Sequence, residues 1–262
     1  FMLQSKYKWV GIILLLLLII TGCTKEENTE QQKTNQEQNA TQEQKSNTEY
    51  EQKTSEEKNI DALTVDQILT MPDSIVALVN KTRYLPSDYT PENLTVVAPD
   101  IIPYTVPGTL ERNMVRSELE EPLLQMISDS QAAGLDIWVA SAYRSYERQK
   151  EIFDRNVEQV GYDETIKGVA LPGTSEHQTG LCIDFTTESV GFTLEENFEE
   201  TAEGKWLKDN AHRYGFIMRY PKGKEEITGY SYEPWHFRYV GADIATEIYN
   251  QDSTLEEYKN IL

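Results

Sequence analysis

A compositional break is the feature that most constrains what this chain can fold into. From Thr24 to Asn59 it is made chiefly of Gln, Glu, Asn, Thr and Lys, with Ala40 its only aliphatic residue and Tyr50 its only aromatic. Such a stretch buries too little apolar surface to offset the entropy of ordering it. Any hydrophobic core must therefore come from residues 60–262. Residues 24–59 are expected to be a disordered polar tether, with an r.m.s. span of roughly 30–35 Å as a flexible coil.

Ahead of the tether, Lys6 and Lys8 precede an apolar run from Trp9 to Ile20, and Thr21 and Gly22 lead into Cys23. A charged start, a short apolar run and small residues are the pattern of an export signal. The run falls short of the ~20 apolar residues that a membrane span needs. The tetrapeptide Ile-Thr-Gly-Cys resembles a bacterial lipobox. That resemblance implies that residues 1–23 are a lipoprotein signal peptide ending at Cys23, which is lipidated and anchors the protein to the outside of the cell membrane.

The full sequence carries a net charge of −20, and no Lys/Arg cluster occurs beyond the signal. A nucleic-acid partner is therefore not expected. The cysteines are Cys23 and Cys182. With Cys23 lipidated, neither a disulfide framework nor a cysteine zinc cluster can form.

Within residues 60–262, prolines at 72, 86, 91, 99, 103 and 107 limit the first part to short pieces, with a turn or two of helix around Ser74–Asn80. Leu123, Met126 and Ile127 then follow helical spacing up to Gly134. "LDIWVASAY" reads as a strand. Ser145 is an N-cap for a helix carrying Ile152, Phe153 and Val157 down to Gly161. One helix is expected over "EENFEETAEGKWLKDNAHRYG", then strands at "FIMRY" and "WHFRYVG", and a last helix over "ADIATEIYNQ". No βαβ repeat is visible. The pattern predicts an α+β domain with a small, mainly antiparallel sheet flanked by helices.

Two stretches carry the chemistry. In "LCIDF", alternation sends Leu181, Ile183 and Phe185 to one face and Cys182 and Asp184 to the other. An acid on a half-buried strand needs a compensating partner. His177 lies an odd number of residues away, and Gly180 permits the bend that would bring the two together. Far along the chain, "YSYEPWHFRYV" supplies His236, with Glu233 three residues before it and Pro234 fixing the turn between them. Two histidines and a carboxylate leave a tetrahedral zinc one open position for water, and a spare carboxylate can take the proton of that water. The remaining histidine, His212 in "DNAHRYG", reads as a structural residue near a helix C-terminus. Cys182 reads as a small buried residue rather than a ligand.

The stretches "SAYRSYERQ", "SEHQTGLCIDF" and "EPWHFRYVG", with "VNKTRYLPSDYTPENL" upstream, resemble the VanY-type zinc carboxypeptidases of bacterial peptidoglycan, a group that includes L,D-carboxypeptidases. The resemblance runs from about Leu78 to the C-terminus. It implies a single zinc peptidase domain with His177, Asp184 and His236 as ligands, Glu233 as general base and Arg144 as the group that polarises the scissile carbonyl. Ser175 and Gln149 match positions that contact the terminal D-alanine, and Trp235 is expected beside the site. Most relatives carry alanine where this chain has Cys182.

The function so implied is removal of the C-terminal D-alanine from peptidoglycan stem peptides outside the cell, by L,D- or D,D-cleavage. Serine-type wall carboxypeptidases are the mechanistic rival, yet Ser-x-x-Lys occurs only at Ser5–Lys8 and Ser55–Lys58, without the companion elements. A non-catalytic lipoprotein that binds wall peptides through a retained zinc fold is the other alternative. Such a protein would be expected to have lost Glu233 or a ligand.

Overall fold

The computed structural model describes residues 70–108 and 110–258. The expected signal, the Cys23 lipidation site and the tether lie outside the described residues.

The first strands, β1 (Leu94–Thr95) and β2 (Val115–Arg116), form a two-stranded antiparallel ribbon. Helix α1 (Glu120–Ala132) follows, and buries Leu123, Met126, Ile127 and Ser130 on one face at helical spacing. It starts before the expected point, with Pro122 in its first turn, where a missing N–H costs nothing. Strand β3 (Trp138–Ser141) leads into helix α2 (Tyr146–Val160). Ser145 caps α2 as expected, its side chain accepting from the Arg148 N–H. The short helix α3 (Tyr162–Gly168) follows at once.

Strand β4 (Cys182–Thr186) comes next, then helix α4 (Ala202–Asn210), strand β5 (Phe216–Met218), helix α5 (Glu225–Thr228), strand β6 (His236–Tyr239) and helix α6 (Ala242–Asn250). The main sheet has the order β3-β4-β6-β5, and every pair in it is antiparallel. This is the α+β architecture that the sequence pattern predicts. Edge strand β3 is not bare: Thr105 donates its N–H to the Val139 carbonyl, and Val139 donates to the Pro103 carbonyl. The proline-rich approach segment thereby covers an open sheet edge.

The sheet has a chemical division between its faces. Ile183, Phe185 and Phe237 enter the main apolar cluster together with Leu119, Leu123, Met126, Ile127 and Phe216. Fully burying each phenylalanine contributes about 1.5–3 kcal/mol. Cys182, Asp184, His236 and Arg238 alternate with these residues and fall on the other side of the pleat. A second cluster, with Val76, Ile217, Val240 and Ile248 among its members, packs α6 against the sheet.

Two expectations are corrected. No helix forms over residues 74–80; the segment turns, and Asn80 bridges to Arg83 instead. The Asn80 side-chain oxygen accepts from the N–H groups of Thr82 and Arg83, a local bonding pattern that competes with helix. The long helix expected up to Gly215 is three pieces: 3-10 turns at Glu196–Glu200 and Ala211–Tyr214 on either side of α4. Thr201 causes the first break. Its backbone is extended, and its hydroxyl accepts from the Gly204 N–H and so caps α4.

Candidate metal centre

The approach to the site begins with Glu176–Thr179, one 3-10 turn closed by Gly180 in the left-handed region at φ 68°. A Cβ at Gly180 would meet only movable side-chain atoms closely, Leu94 Cδ2 at 2.9 Å, so it is the left-handed torsion that favours glycine. The bend allows His177 to meet a residue on the following strand. Asp184 stands directly opposite His236 in the β4–β6 register. Before β6, the His236 N–H donates to the Glu233 carbonyl at 3.2 Å, a four-residue turn with Pro234 inside it. Sheet register and two turns thus bring His177, Asp184 and His236 together, their donor atoms all within 4.8 Å of one another.

The pattern of protons argues for a cation. His177 Nδ1 lies 2.5 Å from the Ala142 carbonyl, which can only accept, so the proton is on Nδ1. Burial lowers the His177 pKa, against the pull of Asp184. A neutral ring in this tautomer turns the lone pair of Nε2 toward Asp184 Oδ2, 3.1 Å away. Two acceptors at that distance repel unless a positive ion lies between them. On the other side, His236 Nδ1 is 2.8 Å from Asp184 Oδ1. Burial by itself would raise the Asp184 pKa; the hydrogen bond with His236 opposes it, and the carboxyl is held well below the usual range. Two imidazoles and one carboxylate suit zinc, and these residues fit it.

The other expected residues border the same cavity, which has a volume of about 210 Å³. Arg144, Gln149, Ser175, Glu233 and Trp235 all line it with the three donor residues. Arg144 Nη1 donates to Gln149 Oε1 at 2.9 Å, and Nη2 lies 3.9 Å from Asp184 Oδ2. Gln149 is 2 % exposed and its amide donates to the Ala170 carbonyl, so it is a buried strut that fixes the guanidinium. Burial pushes Glu233 up to about 7, with Asp184 adding to the rise and His236 and Arg144 opposing it. His212 lies apart, stacked on Tyr249 at 3.9 Å along a separate cavity. Burial lowers its pKa, and the residue sits just past the C-terminal end of α4.

A second buried network escapes the sequence reading. Glu176 is 1 % exposed, and its Oε1 accepts from Arg219 Nε and Arg238 Nη1, each at 2.8 Å. Burial opposes its charge, and the two guanidiniums overcome this, so its pKa is lowered. Glu176 Oε2 accepts from the Cys182 thiol at 3.3 Å and lies 3.8 Å from His236 Nε2. Arg219 also forms a two-point pair with Glu256, and Arg238 donates to the Ile75 and Ala77 carbonyls. The same signal that singles out Asp184, a charge inside an apolar strand, was present in "FIMRY" and "HFRY". Glu176, Cys182 and His236 also form a second group of possible donors. Two guanidiniums already neutralise Glu176 there, which disfavours a further cation.

A family model described as VanY, D-alanyl-D-alanine carboxypeptidase, matches residues 112–242. The YodJ protein of Bacillus subtilis (strain 168) is 41 % identical over 238 residues, covering 91 % of this chain and 85 % of that protein. Among solved structures, the LdcB LD-carboxypeptidase has a TM-score of 0.68 at 46 % identity, covering 71 % of this chain and 86 % of its own. The vancomycin-resistance D,D-pentapeptidase VanY from the VanB-type cassette, in complex with Zn(II), has a TM-score of 0.56 at 36 % identity, covering 71 % and 98 %. Fold and site together define a zinc-dependent carboxypeptidase. The chain belongs to the VanY family.

Removing Glu176 leaves two buried guanidiniums short of a partner. Glu176→Ala is expected to lower the unfolding free energy by about 3–5 kcal/mol. Urea denaturation measures this, and a loss below ~1 kcal/mol would show that the buried network is not a structural support.

Proposed function

We propose that this protein is a lipid-anchored, extracytoplasmic zinc carboxypeptidase that removes the C-terminal D-alanine from peptidoglycan stem peptides, by L,D- or D,D-cleavage. The observation that carries the reading is the unprotonated face of His177 turned on Asp184 in the cavity that also holds Glu233. Similarity to LD- and D,D-cleaving relatives supports the substrate class, and the Ile-Thr-Gly-Cys tetrapeptide supports the anchor.

In this reading His177 Nε2, the Asp184 carboxylate and His236 Nδ1 hold the zinc. When bound, zinc supplies Lewis acidity, which lowers the pKa of water and polarises a carbonyl. Glu233 takes the proton of the attacking water on its carboxylate and later delivers it to the leaving amine. Its half-buried position, which raises its pKa, suits it to both transfers. Arg144, braced by Gln149 and close to Asp184, offers a fixed positive charge to the oxygen that becomes negative as the carbonyl turns tetrahedral. Ser175 and Gln149 line the same cavity and would donate to the free terminal carboxylate, Gln149 through the amide hydrogen not used on Ala170. Trp235 forms part of the cavity wall.

A retained zinc fold without catalysis would need no desolvated carboxylate beside the donors, and Glu233, half-buried in the cavity wall, is one. Glu233→Gln is expected to keep zinc and lose about 10²–10⁴-fold in kcat for D-alanine release from a defined tetra- or pentapeptide. Wild-type protein stripped by chelator should lose the same activity and regain it with zinc. Undiminished release by either preparation would overturn the mechanism.

Two acyl chains give stable membrane attachment. Cys23→Ser should therefore move the protein from the membrane fraction of the expressing bacterium to the soluble fraction. Unchanged fractionation on immunoblots would refute the anchor.

A further inference from the structure

Beyond the cavity that holds the metal donors, the cleft continues into a second compartment of about 380 Å³. The two share Arg144, Ile152 and Leu194 as a common wall. The far compartment contains none of the metal donors; its charged lining, besides Arg144, is Arg112, Arg148 and Glu111. In a chain of net charge −20, three guanidiniums converging on one cleft are a local reversal of sign.

The three share an electrostatic space. Burial is the main reason that the Arg144 pKa falls, and the charges of Arg148 and Arg112 add to that fall. Glu111 offsets one of these charges; its Oε1 accepts from the Ser145 N–H, which holds it at the start of α2 and leaves three guanidiniums against one carboxylate in the lining. Arg112 is anchored by donating through Nε and Nη2 to the Ala140 carbonyl, which aims its guanidinium and leaves Nη1 for a ligand. Among the described residues Arg148 is paired only with Glu151 on the same helix, and both members of that pair are exposed. An exposed pair of this kind is weak and yields readily to a ligand.

We infer that this compartment is an anion subsite in which Arg112 and Arg148 bind a carboxylate of the substrate on the N-terminal side of the scissile bond. The inference rests on the function proposed above, which places the terminal residue at Gln149 and Ser175. The rest of the peptide then leaves past Arg144, toward Arg112 and Arg148. Stem peptides offer a carboxylate there from two sources: the α-carboxyl of a γ-linked D-glutamate at the second residue, or the distal carboxyl of a diaminopimelate at the third. Guanidinium suits either by donating in a fork.

The test uses four defined peptides that combine isoglutamate or isoglutamine at the second residue with diaminopimelate or lysine at the third, all ending in the same D-alanine. With the zinc-loaded enzyme, the peptide carrying the recognised carboxylate should have about tenfold higher kcat/KM than its uncharged counterpart, with the difference in KM. The pair that shows the preference identifies the source. Arg112→Gln and Arg148→Gln should each shrink the ratio, and the double substitution should bring it near one. Lys150→Gln, on the exposed face of α2, should leave it intact and so excludes a bulk charge effect. Arg148→Gln alters an exposed helix position, so one informative variant folds even if Arg112→Gln does not. Equal kcat/KM for all four peptides, or a preference that survives the double substitution, would overturn the subsite. Cleavage of none of them would instead sink the proposed function.

Discussion

The site depends on one arrangement of buried charge: a carboxylate, Asp184, held between two imidazoles, one of which presents a lone pair rather than a proton. An arrangement of that kind is stable only with a positive charge in it. The fold supplies the position, and a zinc ion bound there would supply the charge. Burial opposes protonation of His236, yet its hydrogen bond with Asp184 and the nearby Glu176 carboxylate raise its pKa.

Around this centre the molecule is built to resist collapse of the donor set. Glu176, on the same turn as His177, is clamped by Arg219, the residue that follows β5, and by Arg238 on β6. Those arginines tie the turn to Glu256 near the C-terminal end of the described chain and to the carbonyls of Ile75 and Ala77 near its beginning. Tyr220 stacks on His236 at 4.9 Å and limits its rotation. Cys182 fits into this network as a buried thiol that donates to Glu176. The space that a smaller residue would leave open is filled without disturbing the facing donors.

Much of this was legible in the sequence because it rests on local rules. Alternation in "LCIDF" identified the face of Asp184, Gly180 announced the bend, and Pro234 announced the turn into His236. The register that sets Asp184 against His236 is a long-range pairing, and the sequence gives no direct sign of it. Glu176 was hidden for the same reason, since its partners lie 43 and 62 residues away. Thr201 illustrates another kind of failure: helical periodicity ran through it, but a side-chain cap and the close approach of Phe198 to Gly204 divided the segment. Gln149, expected at the terminal D-alanine, lines the cavity and is also buried against Arg144, a contact that helical spacing alone does not show.

The neighbouring donor group, Glu176 with Cys182 and His236, makes the location of the ion the sharpest point of the account. X-ray absorption at the zinc edge of the purified protein tests it directly. Binding at His177, Asp184 and His236 predicts nitrogen and oxygen neighbours alone, at about 2.0–2.2 Å, with the outer scattering of two imidazoles. A sulfur neighbour at about 2.3 Å would place the ion on Cys182 and contradict the site described.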